Sequence, residues 1–139
     1  MIEIERSLMN IYKEIVMISK VTYIWIDGAE PYPKLRSKVK VLSLPETDIK
    51  PSDLPLWGFD GSSTNQAPTE NSDLILKPVC VKKNPFEDDG NYLALCEVLD
   101  MDHKPVASNH RAKLADLMSQ ASVEFDPYVG MEQEYTLFK

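Results

Sequence analysis

Alternating hydrophobic and polar positions predict four β-strands, at 21–27, 35–42, 74–81 and 92–99. The first two strands flank Asp27-Gly28 and a proline-containing turn, a pattern that is typical of a hairpin with a longer loop. The last two strands flank a polar turn and form a second predicted pair. Pro78 cannot donate a backbone hydrogen bond to a neighbouring strand, so we expect it at a sheet edge or at a β-bulge.

Charges alternate along the second predicted strand. Arg36, Lys38 and Lys40 share one side of it, because successive side chains of a strand point to opposite faces. The opposite side carries uncharged residues, namely Ser37, Val39 and Val41. We therefore expect one face of this strand to be solvated and the other covered.

A helix is predicted at 1–20, where apolar residues at steps of four and three form one stripe: Ile4, Leu8, Ile11, Ile15 and Ile18. Charged residues interrupt this segment, which argues against a signal peptide or a membrane span. The stripe can pack on its own domain or on a neighbouring subunit, and the sequence does not separate these alternatives. A helix followed by two strand pairs predicts a small α+β sheet domain.

A second helix is predicted after Ser108 or Asn109, either of which can cap its first turn. The pattern ends at about Ala121. Its expected buried face consists of four apolar residues, namely Leu114, Leu117, Met118 and Ala121.

The least regular part of the chain lies between Leu42 and Asp73. Prolines break any helix in this region, and glycine and serine residues continue it with turn chemistry. A loop of this length in a small domain is usually functional. Within it, Asp60 precedes Gly61, which by itself is typical of an Asx-turn.

Two carboxylates near the end of the chain lie in a segment that otherwise has the pattern of a buried strand, at 130–137. Glu132 and Glu134 would project from the same face of such a strand. A solvated edge strand explains this pattern, and so does a site for a hard divalent cation that offsets the repulsion between the two charges.

Composition indicates a globular, soluble protein, with 27% charged and 43% hydrophobic residues among 139. The formal net charge of -7 argues against a nucleic-acid or anionic-membrane partner. Cys80 and Cys96 lie in apolar, strand-like runs without zinc-type spacing. We therefore expect a reducing cytoplasm and no disulfide.

The segments Trp57-Gly-Phe-Asp-Gly-Ser-Ser and Met131-Glu-Gln-Glu-Tyr resemble glutamine synthetase of the eukaryotic type. Further segments occur in the family's order and approximate spacing: Tyr23-Ile-Trp-Ile-Asp-Gly, Leu35-Arg-Ser-Lys, Asn71-Ser-Asp, Lys77-Pro-Val, Leu95-Cys-Glu-Val, Lys104-Pro and Asn109-His-Arg. The resemblance runs from about Val21 to the last residue and corresponds to the N-terminal portion of the family.

This resemblance implies a β-grasp domain at 1–105 and the start of a truncated catalytic barrel domain, its first helix and strand, at 106–139. It also implies a homo-oligomer of stacked rings. Family members continue well past the position of Lys139, so we expect this chain alone to be inactive. A catalytically inactive β-grasp module that binds synthetase subunits or another protein is the alternative.

The resemblance also implies roles for four residues in ATP-dependent amidation of glutamate through a γ-glutamyl phosphate. By this likeness Asp60 is the base that binds and deprotonates ammonium in a neighbouring subunit's site, and Ser63 lines the ammonium pocket. Glu132 would help hold the Mg or Mn ion that bridges the phosphates of ATP, and Glu134 a second ion nearer the substrate glutamate. Glutamate, ammonium and ATP are the implied partners of the complete enzyme, without nucleic acid or membrane.

Overall fold

The computed structural model describes residues 16–45, 48–87 and 90–139. Two units divide the chain, one that ends at Asn109 and one from His110 to Lys139. The described residues of the first unit form a five-stranded sheet with the order β2-β1-β5-β4-β3. Its strands are β1 (Val16–Ile26), β2 (Leu35–Pro45), β3 (Trp57–Asp60), β4 (Asp73–Lys83) and β5 (Tyr92–Leu99).

Both predicted strand pairs are confirmed as antiparallel, β1 with β2 and β4 with β5. A parallel pairing of β1 with β5 joins them into one sheet, with Val21 opposite Tyr92 and Ile24 opposite Leu95. Of the two positions expected for Pro78, a sheet edge or a bulge, the bulge is confirmed, because the pairing of β4 with β5 shifts register between Pro78 and Cys80. A bulge accommodates a residue that has no N–H to donate.

The predicted helix at 1–20 is wrong over its last residues, because 16–20 belong to β1. Here Ile18 is 71% exposed while Ser19 and Val21 are buried, which is the two-residue alternation of a strand. Eleven consecutive backbone pairings with β2 fix this conformation. The rest of the predicted helix lies outside the described residues.

The core lies on one face of the sheet. Val21, Tyr23 and Trp25 point into it from β1, and apolar residues of the other elements complete it: Leu44, Leu54, Leu74, Leu76, Tyr92, Ala94, Cys96 and Val98. The Tyr23 hydroxyl donates a hydrogen bond of 2.8 Å to the Pro55 carbonyl. Burial, with a smaller contribution from Cys96, raises the pKa of Tyr23 to about 12.

The charged side of β2 turns towards the protein, and its valine side faces solvent. Val39 and Val41 are 54% and 62% exposed. Lys38 Nζ lies 3.8 Å from the centroid of the Trp57 ring, and Lys40 Nζ lies 4.8 Å from it. The π-face of Trp57 attracts both ammonium groups while their aliphatic stems cover apolar surface, which explains why the lysines point inward. Burial, and then the charge of Lys40, lowers the pKa of Lys38.

In the second unit a single helix, α1 (His110–Glu124), confirms the predicted helix and extends slightly beyond its expected end. The predicted buried face is wrong for two of its residues, since Leu114 and Leu117 are 58% and 62% exposed. Within the described ranges, no helix is both long and apolar enough to cross a membrane.

The predicted strand at 130–137 is not formed. Residues 126–139 have no regular secondary structure, and Met131 and Leu137 are 98% and 86% exposed. A strand is stable only when its N–H and C=O groups pair with a neighbouring strand, and this segment has no such pairing. The predicted start of a barrel is therefore not confirmed.

A buried carboxylate closes the turn between β1 and β2. Asp27 Oδ1 accepts hydrogen bonds from the backbone N–H groups of Ala29 (3.1 Å) and Lys34 (2.8 Å), and Oδ2 accepts one of 2.8 Å from Arg36 Nε. The Lys34 N–H is the largest cause that lowers the pKa of Asp27, with Ala29 and Arg36 adding to it while burial opposes it. Folding therefore favours the ionised form of this carboxyl group.

We expect Asp27→Asn to destabilise the protein in a pH-dependent way. The amide oxygen of asparagine can still accept from the two backbone N–H groups. Its NH₂ group, however, would face Arg36 Nε, and both of these groups are donors. Because the folded pKa lies below the unfolded one, the carboxylate's contribution is complete above about pH 4 and is lost as pH falls through the folded pKa.

Urea unfolding of both proteins between pH 2 and 7 measures this effect. The midpoint of Asp27→Asn should lie below that of the wild type at neutral pH, and the gap should narrow below about pH 4. The control is Asp102→Asn, whose carboxylate is 78% exposed. A gap that stays constant across the whole range would contradict the assignment.

Candidate functional site

Asp60 is the last residue of β3, and its side chain is exposed. The strand is held by antiparallel pairing with β4, which places Asp60 opposite Asp73. Directly after it, Ser62–Thr64 form a single 3-10 turn. Asn65 then adopts the left-handed conformation, with φ 56°, and ends the turn. We call residues 60–66 the Asp60 loop.

Serine residues surround the Asp60 carboxylate. Its Oδ1 accepts hydrogen bonds from the Ser62 hydroxyl (2.7 Å) and the Ser62 backbone N–H (3.0 Å), which is the Asx-turn that the sequence predicts. The Ser62 hydroxyl is the largest cause that lowers the pKa of Asp60, followed by the Ser62 N–H, the Ser72 side chain and, more weakly, the Ser63 N–H. Asp60 is therefore an ionised carboxylate at neutral pH, presented at the surface.

Ser63 lies in the same loop as Asp60. Its hydroxyl donates a hydrogen bond of 2.9 Å to the backbone carbonyl of Asp60. This contact is that of a turn former, and the side chain is also exposed. The structure thus brings Asp60 and Ser63 together in one short loop.

Aromatic side chains anchor β3 just before the loop. The rings of Trp57 and Tyr23 meet edge to face at a centroid distance of 5.2 Å, and those of Phe59 and Trp25 lie 5.0 Å apart. Lys38 Nζ donates a hydrogen bond of 3.2 Å to the Gly58 carbonyl. Such aromatic pairs stabilise a fold by about 0.5–1.5 kcal/mol beyond the area they bury. These contacts with the core therefore fix the position of β3 and of Asp60 at its end.

Two residues that hold the loop were missed by sequence reasoning. Gly28 N–H donates to the Thr64 carbonyl at 2.9 Å, and a Cβ on Gly28 would lie 2.1 Å from the Asn65 carbonyl oxygen. Gln66 donates to the Ile26 carbonyl and to the Ser108 hydroxyl. The Asp27-Gly28 turn gave a signal for the glycine, but no spacing in the sequence indicates the long-range partners of Gln66.

Glu132 and Glu134 belong to the second unit, where both side chains are exposed on a segment without regular secondary structure. Carboxylate oxygens are the donors that Mg²⁺ and Mn²⁺ prefer, so the residue types fit the predicted ions. Their number does not complete a site, because Mg²⁺ requires six oxygen ligands. Across residues 16–45, 48–87 and 90–139, no group of three or more His, Cys, Asp or Glu side chains could hold a metal ion.

Comparison with known families matches residues 17–101 to the β-grasp domain of glutamine synthetase. The match covers all five strands except the first residue of β1. The β-grasp part of the predicted α+β fold is thereby confirmed.

Individual relatives extend the match beyond the sheet. The chain is 48% identical over 123 residues to a glutamine synthetase of Streptomyces viridochromogenes, which covers 88% of this chain and 35% of the relative. It is 47% identical over 115 residues to that of Panulirus argus (83% and 30%) and 48% identical over 115 residues to that of Neurospora crassa (83% and 31%). The chain thus spans about a third of the length of the curated relatives it matches.

We expect this chain to bind Mg²⁺ or Mn²⁺ only weakly. Two exposed carboxylates leave most of the six coordination positions to water, so little free energy is gained on binding. Isothermal titration calorimetry of the 139-residue chain should find no saturable binding at micromolar metal, and Glu134→Ala should behave as the wild type does. Stoichiometric binding that Glu134→Ala abolishes and the surface control Glu70→Ala retains would contradict this.

Proposed function

We propose, since this chain belongs to the glutamine synthetase family, that it is the N-terminal part of an enzyme that joins ammonia to glutamate with the hydrolysis of ATP. The relatives that carry this name match this chain over only about a third of their own length, so the activity is assigned to the complete enzyme. The observation that carries the proposal is the ionised Asp60 carboxylate, held by Ser62 and presented at an exposed strand end.

Amide formation from glutamate has two chemical difficulties. The side-chain carboxylate is a poor electrophile because its leaving group would be oxide, and transfer of the γ-phosphoryl of ATP converts it into an acyl phosphate. Ammonia can then displace phosphate. The second difficulty is that ammonium, the abundant form at neutral pH, has no lone pair and must lose a proton before it attacks.

Asp60 is suited to the second difficulty. A surface carboxylate whose pKa is lowered stays charged throughout the neutral range and attracts a small cation. It can also accept the proton that ammonium releases, although its lowered pKa makes it a weaker base than an ordinary aspartate. We assign ammonium binding to Asp60 as its main role and proton acceptance as the step that follows. Ser63, next to it, lines the same pocket.

Glu132 and Glu134 are proposed as oxygen ligands for two Mg or Mn ions in the complete enzyme, Glu132 on the ATP side and Glu134 on the glutamate side. Such ions, when bound, neutralise the charge that develops on phosphoryl oxygens. Residues 106–139 are proposed as the start of the catalytic domain, and 1–105 as the β-grasp domain. We further propose a homo-oligomer of stacked rings in the cytoplasm, in which the Asp60 loop serves a neighbouring subunit.

We expect Asp60→Asn, in the complete synthetase that carries this chain, to impair the use of ammonium and to leave the binding of ATP and glutamate intact. Loss of a charge that acts mainly on the attacking amine should lower the rate on the order of a hundredfold to a thousandfold. Steady-state kinetics with ammonium varied, and ATP and glutamate saturating, measure this directly.

Asparagine is itself a good Asx-turn residue, so the loop's conformation should survive the substitution. The matched control is Asp102→Asn, which removes an exposed carboxylate outside the Asp60 loop. Unchanged turnover together with unchanged apparent affinity for ammonium in Asp60→Asn would remove Asp60 from the catalytic residues.

A further inference from the structure

The side-chain amide of Gln66 joins three parts of the first unit. Its Oε1 accepts a hydrogen bond of 2.9 Å from the Thr64 hydroxyl, within the Asp60 loop. Its Nε2 donates to the Ile26 carbonyl at the end of β1 (3.2 Å) and to the Ser108 hydroxyl before α1 (3.0 Å). These two acceptors are 40 and 42 residues away in the sequence. One side chain thus ties the loop to two distant segments.

Backbone contacts close the loop on itself around the same point. The Gly61 carbonyl accepts hydrogen bonds from the N–H groups of Gln66 (2.9 Å) and Ala67 (3.3 Å). Thr64 is buried, with 5% of its surface exposed, and its carbonyl accepts the N–H of Gly28. The segment from Gly61 to Ala67 therefore forms a closed turn that rests against the end of β1.

Besides a contact with the Ser72 side chain outside the loop, the Asp60 carboxylate is held by Ser62, which belongs to the loop and moves with it. Local contacts of this kind fix the carboxylate relative to the loop and leave the loop's orientation on the sheet to other contacts. The hydrogen bonds of Gln66 to Ile26 and Ser108 contribute to that orientation, together with the approach of Gly28 to Asn65 and the 2.7 Å hydrogen bond from the Gly61 N–H to the Ser72 carbonyl. A catalytic carboxylate requires this second kind of support, because a displacement of about 1 Å can cost a hundredfold in rate.

We propose that Gln66 is the positioning residue of the Asp60 loop, which it holds in register with β1 and with the segment before α1. The effect of Gln66 on catalysis rests on the proposed function of Asp60. Its effect on the position of the loop rests on the hydrogen bonds alone. Gln66 lies outside the core cluster and is half-buried. Its loss should therefore loosen the loop without unfolding the sheet.

Hydrogen exchange of the 139-residue chain, followed residue by residue with NMR, tests the structural part. Gln66→Met keeps the length and removes all polar contacts of the amide. We expect the Gly28 and Thr64 amides to exchange at least about tenfold faster, the loss that one or two such hydrogen bonds produce. The Tyr23 amide, in the middle of β1, should keep its rate. The matched control is Gln120→Met. It removes an exposed amide that donates a hydrogen bond to Asp116, also on α1.

Unchanged exchange at Gly28 and Thr64 would overturn the proposal. An equal acceleration at Tyr23 would overturn it as well, because that pattern means general destabilisation.

A second variant, Gln66→Glu, keeps an acceptor for the Thr64 hydroxyl but lacks the Nε2 donor, and it sets a carboxylate against the Ile26 carbonyl. It should loosen the loop at least as much as Gln66→Met does. Wild-type exchange in Gln66→Glu would overturn the role assigned to the two long-range hydrogen bonds.

Kinetics of the complete synthetase test the catalytic part. Gln66→Met should raise KM for ammonium about tenfold or more and leave KM for ATP and glutamate unchanged, since the loop is proposed to serve ammonium alone. If Asp60→Asn is impaired and Gln66→Met is not, the positioning role is overturned. If neither variant is impaired, the proposed function of Asp60 fails, and the exchange measurement, which needs no activity, still decides the role of Gln66.

Discussion

The contact between aromatic side chains of β1 and β3 is the constraint on which the rest of the first unit depends. These strands are not neighbours, because β5 and β4 lie between them in the sheet. Tyr23 nevertheless meets Trp57, and Trp25 meets Phe59, at centroid distances near 5 Å. Such contacts require the twisted sheet to curl so that its inner face closes on itself. The short strand β3 is thereby held over the core, and Asp60 emerges directly beyond it.

The same constraint explains the unusual orientation of β2. Once Trp57 is fixed over the inner side of the sheet, its π-face offers a favourable position to Lys38 and Lys40. The lysines turn inward and the valines of β2 face solvent, which reverses the arrangement that hydrophobicity alone favours. Lys38 also reaches the carbonyl of Gly58, so the charged face of β2 supports the strand that carries Asp60. The lysines of β2, the aromatic contacts of Trp57 and the position of the Asp60 loop therefore depend on one another.

Sequence reasoning succeeded where local pattern and tertiary structure agree. The strand pairs, the bulge near Pro78 and the Asx-turn of Asp60 all follow from short-range chemistry. It failed to predict β3, whose four residues include Gly58 and follow a proline-rich stretch without alternation. It extended a helical stripe into residues 16–20, where pairing with β2 outweighs helical periodicity.

Other predictions failed because they depend on partners that are distant in the sequence. The strand expected around Glu132 and Glu134 had the right alternation, but alternation does not supply the neighbouring strand that its backbone needs. Gln66 was missed because its partners Ile26 and Ser108 are brought close only by the complete fold. The proposed role of Asp60 came from the resemblance to a family, whereas the geometry of its loop is visible only in the folded structure.

The serines around Asp60 have two opposed consequences for its chemistry. By donating hydrogen bonds they fix the carboxylate and stabilise its charge, which strengthens the attraction for a cation. The same bonds lower its pKa, so the protonated form of Asp60 is disfavoured. A proton transferred from ammonium to this carboxylate is therefore held only briefly. Under the proposed function, proton release and attack by ammonia on the acyl phosphate must be closely coupled, because free ammonia and a protonated Asp60 do not accumulate as a stable pair.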